Sequence, residues 1–362
     1  MKGIQTLGIM VCRDRDLFLE RGFYKTLQKL GQQHELSVYV FYPNYVNWKT
    51  EIVKGFQYNF DSNIWEKKNF SLPDFIYDRC FFTSKRKYLT YKPYINLLRQ
   101  NKNTKFLGVG LNGKWQVYNI LLNHPLFRRY LPKTKLYKNE KQLAEWLSSG
   151  SIILKPVGGT HGNGVIKISK KAHDYEVIGH NLSSKNIYRI FNNQKSFYKW
   201  VSSFTYKNNY LIQQYLSLNT SGNNPFDIRV LVQKNSKGEW EITGSAARVG
   251  LSSNVTSNLH SGSSVQSTNS LLIKEFGIIK ADKIIKEIYE ISLTLPSYLE
   301  SNHGNLVELG LDIGVDKTGR VWIIEVNSKP GRKVFALINN KNIQFKSTIQ
   351  PILYANYLKT IS

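Results

Sequence analysis

At 362 residues with 41% hydrophobic content, the chain is long enough for two or three domains with ample cores, which excludes a disordered polymer. No apolar run approaches the roughly 18 residues of a membrane helix, and the short IQTLGIMV stretch, broken by Gln5 and Thr6 and followed by Arg13-Asp14-Arg15-Asp16, does not read as a signal peptide. The formal charge of +25 points to an acidic partner or to nucleotide phosphates, although scattered basic residues in a Lys- and Asn-rich chain argue against nucleic-acid binding as the main function. Two cysteines, Cys12 and Cys80, are too few for a disulfide framework or a cysteine metal cluster. A soluble, cytoplasmic protein in a reducing compartment is expected.

In chain order, Ile4 to Cys12 reads as a buried strand, Leu17 to Leu30 as a helix stopped by Gly31, and Leu36 to Tyr42 as a strand ended by Pro43. A less regular stretch follows. Asp74 to Phe82 is a further strand, Tyr94 to Gln100 is helical, and Lys105 to Val109 is a strand. This alternation predicts a small α/β domain with a largely parallel sheet over residues 1–110. A boundary near Gly110 to Gly113 opens a second unit, 111–212. It should hold a helix at Lys114 to Leu122, an extended entry at Leu131 to Tyr137, a helix at Glu140 to Leu147, strands at Ile152 to Val157 and Val165 to Ser169, and a helix near Ser196 to Phe204. Tyr210 to Leu216 is a strand leading into a third unit, 213–362. There Phe226, Ile228, Val230 and Val232 share one strand face, while Asp227, Arg229 and Gln233 share the other. Trp240 to Val249 is its partner, Gly250 to Ser270 a long polar loop, and Ile278 to Leu295 a helix ended around Pro296. Two antiparallel strands close the series, Leu309 to Val315 and Val321 to Val326, joined by a turn through Asp316 to Gly319.

The last hairpin carries the first chemical signal. Gly310, Asp312 and Gly314 share a strip cleared of bulk, and Glu325 and Asn327, two apart on the second strand after Val321 and Ile323, point the same way, so Asp312, Glu325 and Asn327 are expected to converge across one pair of strands. Such oxygen donors suit a hard cation like Mg²⁺, which takes a few carboxylates or amides together with substrate phosphates. The second signal is the loop Gly158-Gly159-Thr160-His161-Gly162-Asn163-Gly164 between two strands. Without a following helix it is neither a Walker loop nor a dinucleotide fingerprint, yet its glycines allow several N–H groups to face one anion. Lys155 precedes it by three residues. The middle of the chain is also the most basic part: residues 111–212 carry 16 Lys and Arg against 4 Asp and Glu.

The order of these parts resembles ATP-grasp enzymes, most closely the YheC/YheD group of endospore coat-associated proteins. The resemblance rests on NGKWQVYNILLNHPLFRRYLPKTKLY (112–137), IILKPVGGTHGNGVIKI (152–168), LIQQYL (211–216), FDIRVLVQKNSKGEW (226–240), ARVGLSSNVTSNLHSG (247–262) and LGLDIGVDKTGRVWIIEVNSKPG (309–331). It implies an α/β (α+β) chain in which an ATP-grasp fold follows a small α/β pre-ATP-grasp domain. Within it, 111–212 would be the N-subdomain with the phosphate loop, and 213–362 the C-subdomain with the Mg²⁺-binding hairpin. It also makes Lys114 and Lys155 the nucleotide-binding lysines, and Gly158, Gly159, Thr160, His161, Gly162 and Gly164 a lid over the phosphates. Gln213, Gln214, Tyr215 and Leu216 become the hinge that holds the adenine, and Asp312, Glu325 and Asn327 the Mg²⁺ ligands. Arg229 and Arg248 are implied beside the transferred phosphoryl group, and Asn258 and His260 on a substrate-side loop. Asp227 has a plainer reading, as the ion-pair partner of Arg229 or a neighbour.

The activity implied is ligation of a carboxylate to an amine through an acyl phosphate, with ATP and Mg²⁺, and needs no protein nucleophile. The basic middle segment leads to an acidic peptide or protein as the expected acceptor. Association with a spore coat is implied by the group's description. The rival readings are a coat-associated ATP-binding protein without turnover, a kinase on the same fold, and a nucleic-acid-binding protein.

Overall fold

The computed structural model describes residues 5–13, 17–82, 84–158, 162–251, 264–338 and 340–361. Its first unit runs β1 (Gln5–Met10), α1 (Arg21–Gln33), β2 (Leu36–Asn47), β3 (Ile52–Asn59), β4 (Ile64–Ser71), β5 (Phe75–Asp78), α2 (Lys85–Gln100) and β6 (Lys105–Gly108). The sheet order is β4-β3-β2-β1-β5-β6. β2, β1, β5 and β6 are parallel, as the alternation of strand and helix predicts, and β3 and β4 form an antiparallel hairpin from the stretch read as irregular. Expected boundaries move: α1 starts at Arg21 and not Leu17, β5 ends at Asp78 and not Phe82, and α2 begins at Lys85 and not at Tyr94. Helix α1 runs through Gly31 to Gln33, because that glycine faces β2 so closely that a Cβ would lie 2.3 Å from Val38 Cγ2. β2 continues past Pro43, which falls where the register with β3 jumps between Phe41 and Val46 and no ladder donor is needed.

After α3 (Lys114–Leu122) and α4 (Pro125–Arg128) come β7 (Thr134–Leu136), α5 (Glu140–Ser148), β8 (Ile152–Pro156), β9 (Ile166–Lys171), β10 (Asp174–His180), β11 (Asn186–Phe191), α6 (Gln194–Thr205) and β12 (Tyr210–Gln214). They build an antiparallel sheet in the order β11-β10-β9-β8-β12-β7. Leu143 and Leu147 of α5 and Phe197 and Val201 of α6 cover one face, against Leu154, Ile166, Ile168 and Val177. Alternation leaves Ile153, Lys155 and Lys167 on the other face.

The third sheet contains β13 (Phe226–Lys234), β14 (Trp240–Val249), β15 (Ser264–Gln266), β16 (Glu308–Val315) and β17 (Val321–Asn327), in the order β15-β14-β13-β16-β17. Between β15 and β16 lie α7 (Thr268–Phe276) and α8 (Ile278–His303). Strand β15 and the start of α7 therefore occupy the end of the segment expected to be one loop. Helix α8 does not stop at Pro296. Leu295 and Leu299, both buried against the sheet, hold it through the proline to His303. Val117, Leu121, Phe127 and Leu131, from α3, α4 and the chain after them, join this same core. Two last helices, α9 (Lys333–Leu337) and α10 (Lys341–Thr360), follow β17. α10 returns to the first unit, where Ile349, Ile352, Tyr354 and Ala355 enter its core. No described helix is long and apolar enough to cross a membrane.

Candidate active site

The site grows from alternation on the third sheet. Ile228, Val230, Leu309, Leu311 and Ile313 are turned into the core, so Asp227, Arg229, Gly310 and Asp312 face the other way. Register then sets the pairs: Arg229 stands opposite Asp312, and Asp227 opposite Arg248. Arg229 donates from Nε at 2.6 Å and from Nη2 at 3.2 Å to the two oxygens of Asp312. Arg248 donates to both oxygens of Asp227 at 2.6 Å and reaches Asp312 Oδ1 at 3.0 Å. Burial alone would raise the Asp312 carboxyl, but Arg229 and then Arg248 overcome it and hold it below the usual carboxylate range.

Glu325 joins this row by a device that alternation does not foresee. Counted strictly from Val321 and Ile323, both buried, Glu325 and Asn327 would turn toward the core. The register shifts after Asp312, which pairs with Glu325, while Ile313 pairs with Ile323. Ile324 is thus the extra residue of a bulge, and it reverses the parity of all that follows. Glu325 comes to lie beside Asp312, and Asn327 opposite Gly310. Arg229, Asp312 and Glu325 form one cross-strand row.

The second sheet faces this row across a cleft of ≈ 470 Å³, open side included. Lys114, first residue of α3, stands 3.4 Å from Glu325, and Lys155 of β8 donates to Gln213 Oε1 at 3.0 Å. Gln213 in turn donates to Thr134 Oγ1 at 2.8 Å. Burial, then the nearby Lys114, push the Lys155 ammonium down to about 8, with Glu325 opposing. Tyr118, Leu131, Pro132, Leu211 and Ile323 add apolar wall. Two lysines and an apolar wall in one cleft suit a polyanion carrying a flat ring.

Lys114, Lys155, Gln213 and Glu325 therefore share one cleft, and Asp312, Arg229 and Arg248 continue the Glu325 row. Along the expected hinge, Gln214 and Tyr215 spend their N–H groups on Lys133 and Ser151 carbonyls, Lys167 lies 4.1 Å over the Tyr215 ring, and Leu216 is half-buried. Gly158 is exposed, and Gly162 and Gly164 take left-handed φ values of 76° and 74°, a backbone only glycine adopts freely. Gly159, Thr160, His161, Asn258 and His260 lie outside the described residues. Thr134 and Tyr118 were not singled out by sequence. Asp227 pairs with Arg248, not with Arg229, and its place opposite that arginine follows only from strand register.

Asp312, Glu325 and Asn327 are hard-oxygen donors on one face and fit a divalent cation. Three of the roughly four acceptor positions of Asp312 are taken by guanidinium groups, while among the described residues Glu325 has only its long contact to Lys114. Among the described residues no cluster of three His, Cys, Asp or Glu side chains makes an all-protein cage. Such a set suits Mg²⁺, which keeps water and phosphate oxygens in its shell.

The family description "YheC/D like ATP-grasp" matches residues 103–358. The endospore coat-associated protein YheC of Bacillus subtilis is 32% identical over 329 residues, 91% of this chain and 89% of that protein. YheD of the same organism is 27% identical over 361 residues, 98% of this chain and 78% of that protein. Among solved structures, the D-cycloserine synthetase DcsG superposes with a TM-score of 0.55 at 9% identity, covering 96% of this chain and 99% of that one.

Proposed function

The chain belongs to the YheC/D-like ATP-grasp family, and on that premise we propose that it is an ATP- and Mg²⁺-dependent carboxylate–amine ligase that works through an acyl phosphate. The observation that carries this reading is the convergence of Lys114, Lys155, Glu325 and the Asp312–Arg229–Arg248 cluster about one cleft between two sheets. In this reading the adenine lies against the apolar wall by Gln213 to Leu216, and Lys114 and Lys155 hold the phosphates. The loop from Gly158 to Gly164 closes over them. Asp312, Glu325 and Asn327 would hold Mg²⁺, which when bound neutralises charge on the phosphates during transfer. Arg229 and Arg248, whose Nε and Nη2 groups are bonded to Asp312 and Asp227, would turn their remaining N–H groups and their charge to the transferred phosphoryl oxygens. The substrate carboxylate attacks the γ-phosphorus and ADP leaves. The amine then attacks the acyl carbon and phosphate leaves, so the product is lighter by one water than its two parts. Asn258 and His260 are assigned to the substrate side.

The basic excess of residues 111–212 supports an acidic peptide or protein as acceptor. The setting proposed is cytoplasmic, with association to a spore coat as in the named relatives. Their names describe coat association and support a second reading, ATP binding without turnover. The test is release of ADP and phosphate from Mg²⁺-ATP with amino acids, peptides and an acidic polymer, with product masses followed, beside Glu325→Gln and an Asp312→Ala, Glu325→Ala double variant. Substrate-dependent release that vanishes in folded Glu325→Gln supports the ligase. A stable phosphorylated product would make it a kinase, and tight binding with no release would leave the binding role.

A further inference from the structure

The ends of the three sheets are not alike. β4 carries Glu66, Lys67 and Lys68, which guard an exposed edge. β6, β7 and β15 are only three or four residues long, and β17 is covered where Ile323 N donates to Tyr130 O at 2.8 Å. β11, at the end of the second sheet, has none of these protections. Its six residues, Asn-Ile-Tyr-Arg-Ile-Phe, are mostly β-branched or aromatic, with no proline and a single charge. Tyr188 and Ile190 are 65% and 53% exposed on the sheet face opposite the helices. A strand of this kind is a template for another strand.

Its surroundings name the charge of the guest. From Lys185 to Lys207 there are five cations and no carboxylate. Lys185, Arg189, Lys195 and Lys199 lie at β11 and the start of α6, Lys207 lies by β12, and Glu176 of β10, opposite Ile190, is paired with Lys171. Among the described residues none of the five forms an ion pair. The edge is also continuous with the cleft: Gln213, Ile153, Lys167, Ile178 and Tyr188 pair in succession across β12, β8, β9, β10 and β11. Strand spacing puts an added strand roughly 19 Å from β8, about six extended residues from the cleft.

We propose that the free edge of β11 docks an extended acidic peptide as an added strand, with backbone hydrogen bonds to β11 and carboxylates toward Lys185, Lys195 and Lys199. This rests on the proposed acidic acceptor and names where it is held. Nucleic acid would use the same cations and stack on Tyr188, but only a peptide would also fill the row of backbone hydrogen-bonding groups along the edge, so the peptide is favoured.

The test uses the full chain without nucleotide and a fluorescein-labelled oligoglutamate peptide. Anisotropy should report salt-sensitive binding, absent for oligoglutamine of equal length and weakened at least about tenfold in a Lys185→Glu, Lys195→Glu variant. Hydrogen exchange should show new protection of residues 186–191 on peptide binding. Lack of binding, protection confined to other elements, unaltered affinity in the variant, or tighter binding of a single-stranded oligonucleotide of equal charge would overturn the proposal. ADP release is read separately. Peptide binding without turnover removes the ligase reading and leaves the dock, whereas turnover without protection at β11 removes the dock alone.

Discussion

Lys155 enters the cleft bonded to Gln213, and among the described residues no carboxylate lies within ion-pair distance of it. Its ammonium, ordinarily at 10.5, falls to about 8 through burial and then Lys114, against the pull of Glu325. Between those values the unfolded chain binds more protons than the folded one, so Lys155 adds stability as pH rises through that window and loses it as pH falls. Nucleotide phosphates would reverse the preference by favouring the charged form. ATP binding near pH 8 should therefore take up a proton, and above pH 8 weaken by up to about tenfold per unit. Calorimetry in two buffers of unlike ionisation enthalpy measures the uptake, and its absence would place the phosphates elsewhere. Asp312 makes a second prediction. Asp312→Ala strips Arg229 of its carboxylate while Arg248 keeps Asp227, and urea unfolding should show a loss of about 3 kcal/mol, the low end for a broken buried pair. Both residues were legible, Lys155 from its place before the glycine loop and Asp312 from its bare strip. The Gln213–Thr134 link was not, because its partners are 79 residues apart and neither type is distinctive alone.

Strands and helices with strong periodicity could be read from sequence, and the boundaries that moved did so for packing reasons. Gly31 has the composition of a helix stop but serves as a contact. A Cβ there would lie 2.3 Å from Val38 Cγ2 and 2.8 Å from the Leu36 carbonyl oxygen, which as backbone does not yield easily. Gly31→Ala should therefore destabilise by roughly 1–3 kcal/mol despite the better helix propensity of alanine, a sign that thermal unfolding decides. The β17 bulge is the converse case: the expected meeting of Glu325 with Asp312 is present, but through an extra residue that strict alternation from Val321 and Ile323 does not supply. Its insertion at Ile324 leaves no mark in composition, since Val321 to Val326 reads equally well as a regular strand. Deleting Ile324 would place Glu325 directly after Ile323, so regular pairing with Ile313 and Asp312 would keep Glu325 on the Asp312 face without the bulge. Because a buried carboxylate costs several kcal/mol or more, alternation in the shortened strand should hold Glu325 out of the core, and the deletion variant should still fold and bind ATP. A deletion variant that unfolds or binds no ATP would show that the bulge itself, and not only the parity it sets, is needed at this row.

Across the whole molecule, the first unit is fastened to the third sheet by a buried charge cluster centred on Glu308, four residues before Asp312. Arg79, fully buried, donates to Glu20 at 2.7 Å and to Glu308 at 2.9 Å, and Arg332 donates to the other Glu308 oxygen at 2.5 Å. Tyr77 and Gln233 complete the shell of Glu308 at 2.5 and 3.0 Å. Two guanidinium groups against two carboxylates make the cluster formally neutral, which is the condition for burying it. It also meets the candidate site, because Arg79 and Arg332 both donate to the Pro330 carbonyl and Pro330 packs over Gly310, two residues from Asp312. None of this could be read from sequence, where Arg79 and Glu308 are 229 residues apart and Glu308 is only the polar start of a strand. Glu308→Ala would leave Arg79 with Glu20 and the Pro330 carbonyl, and Arg332 with carbonyl and hydroxyl oxygens. The expected loss is about 3–5 kcal/mol in urea. Unfolding should remain a single transition if the cluster joins both cores, and nucleotide affinity should fall with it as the Pro330 segment loosens against Gly310. A loss below about 1 kcal/mol, the scale of an exposed pair, would instead assign the attachment to α10, whose Ile349, Ile352 and Ala355 bind the first core through apolar contact alone.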